Sequence, residues 1–233
     1  QARAFLEDAE ATGYTDVNRA LSRLLVRDLD QQRVYNLILI SDGRPTRGVK
    51  DHKQLINLIT RDNDLVASIY GVGVGRRQDR RLLDFLAYRN RGFCVYADTP
   101  EQAEKTILDL VSRLRYPILK DLKLTAYGLD GADLFPRNLP DIHQGETISV
   151  FGRFSRLGPF TMRILGRNGS ETYDFTFTRN LRQADLGTDR IARDWAFWKL
   201  HHLYSEIIRV GETPRLKDEI ERLRDQYDLK TLY

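Results

Sequence analysis

Val34-Tyr35-Asn36-Leu37-Ile38-Leu39-Ile40-Ser41-Asp42-Gly43-Arg44-Pro45-Thr46 is the stretch that decides the fold. Residues 34–40 are a nearly continuous apolar run, the pattern of a strand buried on both faces of a parallel sheet. The run stops at Ser41–Thr46, a loop rich in turn-forming residues. An aspartate at the carboxyl end of such a strand stands where open α/β sheets bind ligands. Asp42 can hold Mg²⁺, act as a nucleophile or close an Asx turn, and the motif alone favours the turn.

Outward from this strand, helix and strand alternate. Upstream, Thr15-Asp16 offers N-cap chemistry before Val17, Ala20, Leu21, Leu24 and Leu25, which recur at helical spacing. Before that, Ala2–Ala11 reads as a helix. Downstream come a helix with Leu55, Ile56, Leu58 and Ile59, a strand over Leu65–Val74, a helix over Asp79–Asn90 and a strand over Gly92–Ala97. Asp98-Thr99-Pro100-Glu101 opens a further helix, with Asp98 as its expected N-cap. Short connections in this order predict βαβ units. Gly71-Val72-Gly73-Val74-Gly75 departs from the dinucleotide fingerprint, because its third glycine comes one residue early. It reads as tight strand termination.

From Pro117 the texture changes to antiparallel β. Strands are expected over Leu119–Tyr127, Thr147–Phe154, Pro159–Gly166 and Glu171–Thr178, with Asn168-Gly169 as a hairpin turn. Phe151, Phe154, Phe160, Tyr173, Phe175 and Phe177 are more aromatic surface than one small sheet covers on one face. The β region is therefore expected to take strands from elsewhere. Helices close the chain, one carrying Ile191, Trp195, Trp198, Leu203 and Ile207, the next starting at Thr213-Pro214. Adjacent His201 and His202 point about 100° apart on a helix, so they read as packing rather than a metal pair.

Composition narrows the classes. The 233 residues carry 37 Lys+Arg and 33 Asp+Glu, a net charge of +4. That excess is dispersed apart from Arg76, Arg77, Arg80 and Arg81, so no nucleic-acid stripe is present. No apolar run reaches the ~20 residues of a membrane span. Cys94, the single cysteine, has no disulfide partner within the chain.

The order Gly13-Tyr14-Thr15-Asp16, helix, apolar strand, Ser41-Asp42-Gly43-Arg44-Pro45-Thr46, helix, strand ending in Gly71-Val72-Gly73 resembles the von Willebrand factor type A domain, from about Thr12 to Leu114. Residues 139–154, Ala192-Arg193-Asp194-Trp195-Ala196 and Tyr227–Tyr233 resemble the region that follows this domain in inter-alpha-trypsin-inhibitor heavy-chain-like proteins, and point to a bacterial member. The fold this implies is α/β: a partial Rossmann-like parallel sheet with flanking helices, an antiparallel β region and C-terminal helices. The expected divisions are 1–116, 117–182 and 183–233.

The resemblance implies a metal-ion-dependent adhesion site with Thr15 and Asp42 as Mg²⁺ ligands. Ser41, Gly43 and Arg44 would form the rim that meets an acidic side chain of a protein partner. The family's Asp-x-Ser-x-Ser motif occurs nowhere in the chain. The resemblance then implies that the chain begins inside the domain, and that a companion segment or chain completes the sheet, the metal site and the β region. It also favours the cell surface or periplasm. Two other readings stand beside this non-enzymatic one: a structural spacer with a degenerate metal site, and a Mg²⁺-dependent hydrolase or phosphotransfer enzyme. The last would use Asp42 and need a second carboxylate, for which Asp98 is the candidate.

Overall fold

A computed structural model describes residues 13–25, 33–129, 133–185 and 187–230. The helix expected over Ala2–Ala11 lies outside them. Three parallel strands, β1 (Tyr35–Ser41), β2 (Ala67–Val74) and β3 (Cys94–Ala97), form a sheet in the order β1-β2-β3. The register runs from Tyr35 opposite Ala67 to Ser41 opposite Gly73, then from Gly71 opposite Cys94 to Val74 opposite Ala97.

Alternation along β2 divides the core between two faces. Ala67 and Ile69 join α1 (Val17–Leu25), α2 (His52–Asn63) and α3 (Arg80–Arg89), where Leu55, Ile56, Ile59, Leu82 and Phe85 are fully buried. Tyr70 and Val72 face α4 (Pro100–Arg113) through Leu110 and Leu114. Each fully buried Leu, Ile or Phe contributes about 1.5–3 kcal/mol. Gly71 and Gly73 lie inside β2 rather than ending it. A Cβ on Gly71 would sit 2.4 Å from Cys94 Sγ, and one on Gly73 would sit 2.4 Å from the Tyr96 ring. The glycines make room for β3 side chains under α3. Termination falls to Gly75, at φ +97°.

Side-chain oxygens start the helices of the α/β part. Asp51 accepts from Gln54 N at 2.7 Å and Asp79 from Leu82 N at 3.1 Å. Thr99, not Asp98, caps α4, and Pro100 takes the first turn, where its missing N–H costs nothing.

The second sheet has the order β5-β4-β6-β7, from β4 (Pro117–Tyr127), β5 (Ile142–His143), β6 (Pro159–Asn168) and β7 (Glu171–Asn180). Asn168 pairs with Glu171, so the hairpin turn is Gly169-Ser170, one residue beyond the expected position. Gly169 at φ +58° takes the first central place, as a type II′ turn requires. The strand expected over Thr147–Phe154 does not form. β5 occupies the edge of β4, and the segment makes only one antiparallel bridge, Phe151 with Phe135. Tyr173, Phe175 and Phe177 remain exposed on β7, and Phe154 is also exposed.

Helices α5 (Asp189–Val210) and α6 (Pro214–Tyr227) pack on each other. At one end of α5, Trp195 is buried against Phe135, and its Nε1 donates to the Asp133 carbonyl at 2.8 Å. At the other end Ile208 enters the α/β core, and its carbonyl accepts from Asn57 Nδ2. The helix thus touches both parts of the chain.

His201 is buried among Phe85, Tyr88, Phe197 and Trp198. Burial, with a smaller push from His202, pulls its imidazole from 6.5 to about 4. Between these values the unfolded chain binds a proton that the folded chain does not. Stability is therefore expected to fall as pH drops from about 6.5 to about 4. Urea unfolding at several pH values checks this: His201→Gln should flatten the slope across that window relative to the parent chain.

Candidate functional site

The carboxyl ends of the parallel strands gather the expected site residues through two loops. One precedes α1 and carries Thr15; the other follows β1 and carries Asp42. Their backbones are clasped together. Thr15 N donates to Thr46 Oγ1 at 2.8 Å, and the Thr15 carbonyl accepts from Thr46 N at 2.9 Å and Arg47 N at 3.1 Å. Asp16 Oδ1 accepts from Arg19 N at 3.0 Å, which starts α1. Gly48 approaches so closely that a Cβ there would lie 2.5 Å from the Asp16 carboxylate, and its φ of +71° also suits glycine.

The Asp42 loop is folded by its own side chains. Asp42 Oδ1 accepts from Arg44 N at 3.0 Å, an Asx turn, and Ser41 Oγ accepts from Gly43 N at 3.0 Å. From behind, Asp79 N donates to the Asp42 carbonyl at 2.7 Å. Gly43 is buried at φ +74°, and a Cβ on it would stand 2.6 Å from the Asp79 carbonyl. His52 Nε2 lies 3.5 Å from Asp79 Oδ2. His52, Asp79, Thr46 and Gly48 thus support the site. Of these, only Thr46 stood in the motif, and Asp79 was visible only as a helix start.

Thr15 and Ser41 line a groove of about 550 Å³ that runs between α1 and the end of β1, past Leu39 and Ile40. Asp42 and Arg44 are exposed beside it, while Gly43 sits inside, against α3. No strand pairs with the outer edge of β1 among the described residues, and Ile40 is 53% exposed. Asp98 lies at the end of β3, 4.0 Å from Arg80, whose guanidinium stacks on the Tyr96 ring. Cys94 is half-buried, and desolvation raises its thiol pKa.

The fold is similar to that of von Willebrand factor type A structures, here with three parallel strands, an antiparallel sheet and C-terminal helices. A solved von Willebrand factor type A protein from Catenulispora acidiphila superposes with a TM-score of 0.59 at 11% identity, covering 97% of this chain and 63% of that one. Sequence relatives are inter-alpha-trypsin inhibitor heavy chains. Chain H2 of Sus scrofa is 25% identical over 166 residues, 66% of this chain and 17% of the relative. Chain H1 of Bos taurus is 24% identical over 227 residues, 90% of this chain and 25% of the relative. The chain thus spans a quarter or less of these relatives' length. No protein-family model matches the sequence.

Gly43→Ala is expected to loosen the Asp42 loop, since it forces a side chain into both a positive φ and the Asp79 carbonyl. The expected cost is about 1–3 kcal/mol, read from the urea midpoint. Amide exchange should speed up first at Asp79, whose N–H is held by Asp42.

Proposed function

We propose that the chain is part of a non-catalytic, protein-binding module whose adhesion site lies at the carboxyl end of β1. The observation that carries this reading is the clasp between the Thr15 and Asp42 loops beside the open edge of β1. Thr15 and Asp42 offer a hydroxyl and a carboxylate, the hard oxygen donors that Mg²⁺ takes. Two side-chain oxygens fall short of a near-octahedral shell. No group of three His, Cys, Asp or Glu side chains suited to a metal occurs among the described residues. Mg²⁺ would therefore be held here only with oxygens from sequence outside this chain, of the kind that an Asp-x-Ser-x-Ser strand supplies.

In this reading that strand pairs with β1, fills the groove past Leu39 and Ile40, and brings its serines to Thr15 and Asp42. A further segment covers Tyr173, Phe175 and Phe177. Ser41 and Arg44 shape the rim, Gly43 fixes it from within, and a partner's Asp or Glu carboxylate completes the contact. A location at the cell surface or in the periplasm goes with this role. No helix of the described residues is long and apolar enough to cross a membrane. The absence of any group of three His, Cys, Asp or Glu side chains suited to a metal among the described residues favours a second reading, a structural spacer with a degenerate metal site.

A Mg²⁺ titration by calorimetry decides between them, on a protein that joins this chain to its adhesion-type first strand. The adhesion reading expects one Mg²⁺ per chain, lost in Asp42→Ala and weakened in Thr15→Val, with an unchanged circular dichroism spectrum. Absence of Mg²⁺ binding, or binding indifferent to Asp42→Ala, would leave the spacer reading.

A further inference from the structure

At the opposite, amino-terminal end of the parallel strands lies a cavity of about 570 Å³ between the two sheets. Its walls carry Arg89, Arg91, Lys123, Arg137 and Arg167 against one lining carboxylate, Asp121. Over the whole chain the charges nearly balance, at 37 basic and 33 acidic. The cavity is thus a local concentration of positive charge. Its remaining surface is largely leucine, including Leu122 and Leu165.

The carboxylates present are already committed. A bulge in β4, between Lys120 and Lys123, puts Asp121 at φ +57°. Its carboxylate pairs with Arg91 and accepts from Arg167 Nη2 at 2.7 Å and Nε at 3.0 Å. Asp141, 1% exposed, accepts from Ser68 Oγ and from Asp121 N. It stands 3.9 Å from Arg91 Nε, beyond hydrogen-bond distance. Arg89 donates from Nη1 to the neutral Ser205 carbonyl, and its buried Nε has no hydrogen-bond partner. Glu206, the acid nearest in charge to Arg89, pairs with Arg209.

The Arg91 side chain is 8% exposed, so its charge sits in a poorly solvated place. Burial lowers its pKa, and Asp141 only partly offsets this. The five cations of the walls outnumber the two carboxylates, Asp121 and Asp141, that stand beside them. Guanidinium groups bind planar oxyanions in paired hydrogen bonds, and the volume lies in the range of small-ligand sites. Gly166 lets the leucine wall pack closely on β6, since a Cβ there would meet Leu122 Cδ2 at 2.9 Å.

We propose that this cavity is a second binding site, for a small ligand that carries a carboxylate or phosphate group on an apolar body. The oxyanion meets the arginines and Lys123, and the body lies on the leucines. The site is independent of the adhesion reading, because it uses neither Mg²⁺ nor the β1 edge.

The test is calorimetric titration of the chain, in metal-free low-salt buffer, with phenyl phosphate and with phenylacetate; benzyl alcohol is the uncharged control. Saturable binding of either anion and none of the alcohol is expected, and the tighter anion identifies the group. Lys123→Gln combined with Arg137→Gln, two exposed positions, should weaken binding by about tenfold or more. Lys123→Glu should abolish it, and Asp42→Ala should leave it unchanged. The proposal is overturned if neither anion saturates by about 10 mM, where millimolar contacts still register. It is equally overturned if folded Lys123 and Arg137 variants bind as the parent does, which would make the cluster a purely structural ion network.

Discussion

Burial of β2 on both faces is the constraint on which the rest of this structure depends. A strand with no solvated face needs a helical layer on each side. Leu55, Ile56, Ile59, Leu82 and Phe85 supply one, and Leu110 and Leu114 the other. The third neighbour of β2 is the antiparallel sheet, reached through Ser68 Oγ and Asp141. Once β2 is enclosed, the loops after β1 and before α1 have one place to go, the carboxyl edge of the sheet. There the backbone bonds of Thr15, Thr46 and Asp79 hold them.

The two ends of the parallel sheet differ in chemistry. At the carboxyl edge the loops present oxygens, and many backbone N–H groups are consumed by local Asx and cap bonds. At the amino-terminal edge the segments entering β2 and β3, together with β4 and β6, present guanidinium groups. Arginines stand at both ends: Arg19, Arg23 and Arg47 of the carboxyl-edge groove are exposed, whereas Arg91 at the amino-terminal edge is buried.

Much of this was legible because it is local. The apolar run before Ser41-Asp42, the N-cap at Thr15-Asp16 and the helix stripes are written within a few residues of where they act. What escaped reading depends on partners far along the chain. Alternation in residues 147–154 announces a strand but cannot say that β5 already occupies the edge it would need. Gly71 and Gly73 look like terminators until Cys94 and Tyr96 are placed across the ladder. Asp98 and Thr99 are equally good caps on paper; geometry selected Thr99. Of the site, Thr15, Ser41 and Asp42 were visible, whereas the support from His52 and Asp79 and the cavity around Arg91 arise only when separate segments meet.

The long helix α5 carries one more consequence. Its 22 residues make a rod roughly 33 Å long. Two points along it are fixed, Trp195 against Phe135 and the Asp133 carbonyl and Ile208 in the α/β core, roughly 20 Å apart along the axis. The separation of these anchors is set by helical rise rather than by side-chain packing. The helix therefore acts as a strut. It sets the distance between the segment at Asp133 and Phe135 and the helical layer that Ile208 shares with Val17.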